Sequence, residues 1–414
     1  MSNHDVAWLL WLAERVLAGR DLYGDLIEIN PPLAIWLAVP SVAVGQLLGS
    51  SAALCYHLFV VFALAGCTAL LLTLTPDARG RTAAALILVL IGLAAADFGQ
   101  REHLAVGLLL PLLAVASARA SGRPPRRLVS LAAGALAGLA ISLKPFLAPL
   151  WVMVVWRRRP SLEDAVILAT GAGYVVAVLL LTPGYLSTVG VAGPAYYRLN
   201  FLPLSSLITM RESLIAGATI LAALWVRGRP PAVDILLIAT LGGWLSALLQ
   251  HKGWNYHWYP AVAFGTLTCL AVLPLLRRPA LRLALALGLA VVLGVRLQRV
   301  VERLSLRARD VAVVAQAVHP CDAVLLLSRE LTDGWPGVTA SGARWAGRLP
   351  SLWHLNVFGL REPSGMSPAE HLLFNAVVRD LAQTPDRILF EARDGLDLKA
   401  YFEQDSTARR LLGR

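Results

Sequence analysis

Between Ser51 and Leu297 the chain runs through a succession of apolar stretches, each closed by an arginine cluster or a polar turn. Most are about fifteen to twenty-four residues long, the length a helix needs to cross a hydrocarbon core about 30 Å thick. Lipid offers the backbone no hydrogen-bond partner, so such stretches are viable there only as helices that close their bonds internally. The pattern predicts an α-helical polytopic membrane protein of about ten spans. With 57% of residues apolar and 15% charged, an ordinary soluble domain of this length is excluded. The spans are expected at about 52–75, 83–97, 103–118, 128–143, 146–156, 162–182, 207–226, 232–249, 260–276 and 281–297.

The arginines set the orientation. Loops on one side hold Arg79 and Arg81, Arg119, Arg123, Arg126 and Arg127, Arg157 to Arg159, Arg227 and Arg229, and Arg277, Arg278 and Arg282. The alternate loops hold only Arg101, Lys144, Arg198 and Lys252. Fourteen cations against four make the first set cytoplasmic. The same rule absorbs the net charge of +11, so the basic balance does not point to nucleic acid. The first loop and the tail beyond Leu297 are then both expected outside. That parity requires Leu33 to Leu48 to lie at or dip into the outer interface, bent by Pro40, because a full crossing would reverse every later loop. The stretch 146–156 is too short to cross alone. Lys144-Pro145 ahead of it predicts a broken or tilted helix, tolerated where it lines a cavity or is buried in protein. Cys55, Cys67 and Cys269 fall in spans and Cys321 stands alone in the tail, so no disulfide is expected. The polar start, without a basic segment, does not read as a cleavable signal peptide.

Three regions result: an extracytoplasmic first loop with interfacial helices (1–50), a transmembrane helical domain (51–297) and an extracytoplasmic C-terminal α/β domain (298–414). In the first, Val6 to Ala18 reads as a short helix with Asp5 as its cap and Gly19 as a left-handed stop. Pro31-Pro32 prevents helix continuation into the next apolar stretch. In the third, a mixed-charge helical stretch follows Gln298. Ala323–Leu327 and Asp386–Phe390 read as buried strands, with a helix at Ala369–Leu381 between them. Strand, helix, strand implies some parallel pairing.

Mixed polar clusters collect on the expected outer side. They are the first loop, with Asp5, Asp25, Glu28 and Asn30; Asp97-Phe-Gly-Gln-Arg101-Glu102-His103; Lys144-Pro145; Tyr196-Tyr197-Arg198; and Gln250-His251-Lys252-Gly-Trp254-Asn255-Tyr256-His257-Trp258-Tyr259. Charge at membrane depth is costly, which makes each cluster a functional candidate. Cations for phosphate, aromatic faces for a sugar ring and one carboxylate as base would suit an anionic lipid-linked sugar.

Structural readings stand beside these. Helix capping alone accounts for Asp5. Arg101 and Glu102 could neutralise each other at a span end, and Lys144 could snorkel to the interface. Trp254, Tyr256, Trp258 and Tyr259 suit an interfacial belt, although a belt has no need of Gln250, His251, Lys252 and His257. Arg211 and Glu212 are expected to face a cavity. His4, Glu102, His103 and His257 are metal-binding types, but no spacing such as His-Glu-x-x-His occurs. No metal site and no cofactor is assigned from the sequence, while a divalent metal stays open.

The early Asp, the Gly-x-x-Leu-Tyr-x-Asp run that ends at Asp25 and Asn30-Pro-Pro-Leu33 carry a resemblance, together with Lys144-Pro145 and Lys252-Gly-Trp-x-Tyr-His257. In this order they resemble the GT-C membrane glycosyltransferases, in particular the protein-mannosyltransferase and aminoarabinose-transferase branch, over the chain to about residue 297. The resemblance implies an inverting transfer from a polyprenyl-phosphate sugar to a hydroxyl of a glycan, lipid or protein acceptor. It also implies a multi-pass protein of the bacterial inner (plasma) membrane and a role in the cell envelope. By position Asp5 matches the family's first-loop base, and Arg101, Lys144 and Lys252 match phosphate contacts. Only four residues precede Asp5, where the family has a spanning helix, so Asp25 and Glu28 stay candidates for the base. Asn30, Glu102, His103, Tyr197, Arg198, His251, Tyr256 and His257 complete the expected substrate site. A lipid-linked-sugar transporter or flippase, a glycan polymerase or ligase, and a non-catalytic scaffold are the rivals.

Overall fold

The computed structural model describes residues 3–391 and 397–413. Helices α1 (His4–Leu17) and α2 (Leu33–Leu47) come first, followed by α3 (Ala52–Leu72), α4 (Arg79–Ile87), α5 (Arg101–Ala120), α6 (Arg127–Leu143) and α7 (Ala148–Arg158). Next are α8 (Leu162–Leu181), α9 (Gly184–Arg198), the short α10 (Leu204–Ile208), α11 (Arg211–Trp225), α12 (Pro231–Leu249), α13 (Tyr259–Val272) and α14 (Pro279–Ala317). A small sheet of β1 (Ala323–Leu327), β2 (Arg344–Trp345) and β3 (Arg387–Phe390) follows. The chain forms two compact units, one of residues 56–176 and 201–301, the other of residues 1–55, 177–200 and 302–414.

The first of these is helical. Six segments of the chain are long and apolar enough to cross a membrane: Ala52–Leu72, Arg101–Ala120, Leu162–Leu181, Pro231–Leu249, Asn255–Leu275 and Pro279–Ala317. The protein is therefore a helical membrane protein by length and hydropathy. Leu33–Leu47 and Arg127–Leu143 are apolar but shorter. The expected 83–97 span is not one regular helix. It passes from α4 into a π-helical turn over Leu88–Leu93 and a 3-10 turn over Ala95–Asp97. The expected 281–297 span is the first part of α14, which continues unbroken for 39 residues to Ala317.

Packing inside this unit relies on small residues, because between lipid-facing helices close contact replaces the hydrophobic drive. A Cβ on Gly243 of α12 would lie 2.8 Å from the backbone nitrogen of Ala261 on α13. On α6, a Cβ at Gly134 would lie 2.8 Å from the carbonyl oxygen of Glu163 on α8. Backbone cannot yield as a flexible side chain can. Gly217, by contrast, faces open space.

The other unit brings both ends of the sequence together, so the region 1–50 does not stand apart from the C-terminal one. Trp8 and Trp11 of α1 stack at 4.9 Å, and Trp335 meets both edge-on at 5.2 and 5.9 Å. The Ile27 amide donates to the Arg348 carbonyl at 3.0 Å. Asn3, not Asp5, caps α1: its side chain accepts from the Val6 amide at 2.8 Å, while Asp5 sits in the first turn. Gly19 has the expected left-handed backbone, with φ of 81°. The sheet is all parallel in the order β2-β1-β3, with the expected β1–β3 pairing. The helix between them runs Pro368–Leu381 and opens on a capping box of Ser367 and Glu370. Several elements were not expected, β2 and α9 among them. β2 is only two residues long, and α9 forms despite Pro194 inside it.

Two outcomes test this packing. Gly243→Val should lower thermal stability in detergent by about 1–3 kcal/mol through overpacking, while Gly217→Val stays near wild type. The second concerns His354, which is buried beside Trp353 and pushed down to about 3 by that burial. The unfolded chain takes up this proton below 6.5 and the folded chain does not, so stability is complete above 6.5 and is lost as pH falls toward 3. Between pH 6.5 and 4.5 the wild type should lose about 2–3 kcal/mol more than His354→Leu, read from unfolding midpoints.

Candidate functional site

The π turn explains much of what surrounds it. Widening the helix from i→i+4 to i→i+5 bonding disturbs the carbonyl ladder, and the displaced carbonyls need other donors. Tyr259 of α13 donates its hydroxyl to the Val89 carbonyl at 2.9 Å. His103 of α5 reaches the Leu90 carbonyl with Nε2 at 2.8 Å and takes the Gly99 amide proton at Nδ1 at 3.0 Å. Nδ1 is then an acceptor, so Nε2 carries the ring proton. The buried His103 is thereby a brace for the π turn, and the geometry leaves it no nitrogen for substrate.

One turn away lies an ion cluster. The chain breaks at Lys144-Pro145 between α6 and α7, as the sequence predicts, and the break turns Lys144 inward. Its ammonium pairs with Glu102, and His257 Nε2 stands 3.7 Å from the same carboxylate. Lys144 is 6% exposed, Glu102 1% and His257 4%. Lys144 does not snorkel, and the partner of Glu102 is Lys144 where the adjacent Arg101 was the expectation. His257 is framed by Tyr256 at 4.5 Å and Trp254 at 5.4 Å, and its Nδ1 has no partner among the described residues. Trp258 and Tyr259 are fully buried, which excludes them from an interfacial belt.

The loop after α12 adds cations. His251 adopts φ of 52°, stacks on Phe201 at 4.6 Å and contacts the Leu202 carbonyl through Nδ1 at 3.0 Å. This holds the next residue, Lys252, with its ammonium 5.5 Å from the Trp254 ring. Burial pushes the Lys252 ammonium down to about 8. Three further pairs lie at the same helix ends, and the sequence reading did not make them. Asp97 pairs with Arg296 at 3.2 Å, and Glu212 with Arg211 at 2.8 Å and Arg299 at 3.3 Å. Arg296 and Arg299 are on α14; the signal for them was a cation at the end of an apolar stretch.

In the other unit the first loop has a defined local fold. Tyr23 takes φ of 85°, a left-handed backbone that residues other than glycine rarely adopt, and a Cβ on Gly24 would lie 2.3 Å from Asp21 Oδ2, which would have to shift. Asp25 accepts the Asp21 amide at 3.2 Å, and Tyr23 donates its hydroxyl to the Asn30 carbonyl at 2.5 Å. Glu28 is almost saturated. Its Oε1 accepts from the amides of Ile29 and Asn30 and from Asn30 Nδ2, and its Oε2 accepts Trp8 Nε1 at 2.7 Å. Glu28 and Asn30 thus hold the loop to α1. Asp5 lies 3.4 Å from His4 Nε2 with 36% of its side chain exposed. Tyr197 and Arg198, at the end of α9, are exposed.

Among the described residues no three of His, Cys, Asp and Glu gather as a metal site. Comparisons with family models, with curated proteins and with solved structures return no match.

The buried pair supplies a test. Lys144→Met leaves Glu102 uncompensated and should cost about 3–5 kcal/mol in thermal unfolding, whereas Glu102→Leu combined with Lys144→Met should recover most of it.

Proposed function

We propose that the protein is a membrane glycosyltransferase of the GT-C type. In this reading it takes a sugar from a polyprenyl-phosphate donor and passes it, with inversion, to an acceptor hydroxyl on the extracytoplasmic face of a bacterial inner membrane. Ten crossings, with the Arg-rich helix ends cytoplasmic, give that orientation. Asp5 takes the acceptor proton as the hydroxyl attacks the anomeric carbon, and Arg101 and Lys252 stabilise the departing lipid phosphate. His257 and the rings of Trp254 and Tyr256 receive the sugar.

The observation that carries the reading is the unequal chemistry of the two sets of helix ends. At the Arg-rich ends the charges close on one another as arginine–carboxylate groups, Arg119 with Glu163, Arg158 with Asp164, and Arg229 and Arg157 with Asp234. At the opposite ends carboxylate, ammonium, imidazole and aromatic rings share one buried cluster around Glu102, Lys144 and His257. Such a cluster in an apolar protein is costly to maintain without a use.

The same distribution disfavours transport. A flippase needs polar groups along its whole path, yet the middles of α5, α6, α8, α11, α12 and α13 contain no Asp, Glu, Lys, Arg or His. The buried hydroxyls there serve neighbouring protein groups, as Thr240 does with the Leu236 carbonyl and Thr268.

Purified protein in nanodiscs, offered a panel of polyprenyl-phosphate sugars, tests the proposal. Release of lipid phosphate from one donor is expected. Asp5→Asn should lose about a hundredfold or more of turnover with an unchanged melting temperature. Glu28→Gln should instead lower the melting temperature by weakening the loop. Donor binding without consumption would overturn the transferase in favour of the transporter.

A further inference from the structure

The helical unit contains a second feature, unrelated to the ion cluster. A groove of about 650 Å³ is walled by α11, α13 and α14. Small residues open it: Ala216 and Ala222 on α11, Gly265 on α13 and Gly288 on α14. Thr219 also lines it, but its hydroxyl is committed to the Ile215 carbonyl at 2.9 Å. The walls therefore suit an alkyl chain and give a polar ligand little to bind.

Depth and charge narrow the occupant. Along α11 the groove runs from Ile215 to Trp225, ten residue steps or about 15 Å at the helical rise. That is about half of a 30 Å hydrocarbon core, the depth of one leaflet. Its mouth holds Trp225 and Arg278, both exposed. Trp is a residue of the membrane–water boundary. Arg278 has no carboxylate partner among the described residues, and Arg277 beside it is exposed too. Asp234, in the first turn of α12, is already engaged by Arg229 and Arg157. The mouth is left cationic.

We infer that the groove holds an acyl chain of an anionic glycerophospholipid from the leaflet at the Arg-rich helix ends, with the lipid phosphate against Arg278. A chain that ends near the midplane fills a groove one leaflet deep, whereas a polyprenyl chain is far longer than the groove. The inference rests on the bilayer setting and is independent of glycosyl transfer.

Gly288 provides a clean variant, since a Cβ there meets nothing within 4 Å and a larger side chain enters the groove without touching backbone. Gly217, equally open but outside the groove lining, is the control. Wild type, Gly288→Leu, Gly217→Leu and Arg278→Ala would be purified from nanodiscs of equal phosphatidylglycerol and phosphatidylcholine. Native mass spectrometry would then count retained lipids. Wild type and Gly217→Leu should keep one phosphatidylglycerol per chain, and Gly288→Leu should lose it at least tenfold. Arg278→Ala should keep a lipid but lose the preference for phosphatidylglycerol. Equal retention in Gly288→Leu and wild type would overturn the inference. So would a wild type that prefers phosphatidylcholine, or one purified from cell membranes that retains a polyprenyl phosphate in the groove.

Discussion

Inside an apolar helical unit every displaced carbonyl and every charge must find its partner within the protein, and the broken helices of this chain show the consequence. The π turn at Leu88–Leu93 persists because Tyr259 and His103 take up the Val89 and Leu90 carbonyls. Those two side chains come from α13 and α5, so one local irregularity fixes the mutual position of three helices. The break at Lys144-Pro145 works in the same way. It sends an ammonium inward, and Glu102 and His257 gather around it. Irregular backbone and buried polarity are two aspects of one arrangement.

The first loop meets the same requirement by different means. Glu28 spends its lone pairs on the Trp8 indole and the Asn30 corner, and Trp8 in turn packs against Trp11 and Trp335. A carboxylate whose oxygens are already taken up by protein donors is poorly placed to take a proton from a substrate. Three acidic residues that look alike in sequence therefore differ in what they can do. Glu28 anchors, Asp25 closes a turn, and Asp5 keeps exposed surface.

Polar and apolar recognition are kept apart in the helical unit. The mixed cluster belongs to one set of helix ends, while the groove of α11, α13 and α14 opens toward the other set and offers almost nothing but alkyl surface. Small residues serve two purposes here. At Gly134 and Gly243 they admit a neighbouring backbone, and at Gly288 they leave space unfilled. A sequence shows a glycine in each case and cannot distinguish them.

The sequence by itself determined the apolar helices, the alternation of Arg-rich and mixed ends, the break at Lys144-Pro145 and the parallel pairing of β1 with β3. These follow from local quantities: hydropathy over twenty residues, the geometry of proline and the period of a strand. Tertiary structure alone decided that Glu102 pairs with Lys144 and not with its neighbour Arg101, and that His103 braces a π turn. It also decided that Asn3 and not Asp5 caps α1, and that α14 runs on through residues expected to leave the membrane. Each of these depends on which side chain arrives from a distant element to satisfy a buried group. Such meetings are set by packing in three dimensions, and spacing along the chain does not encode them.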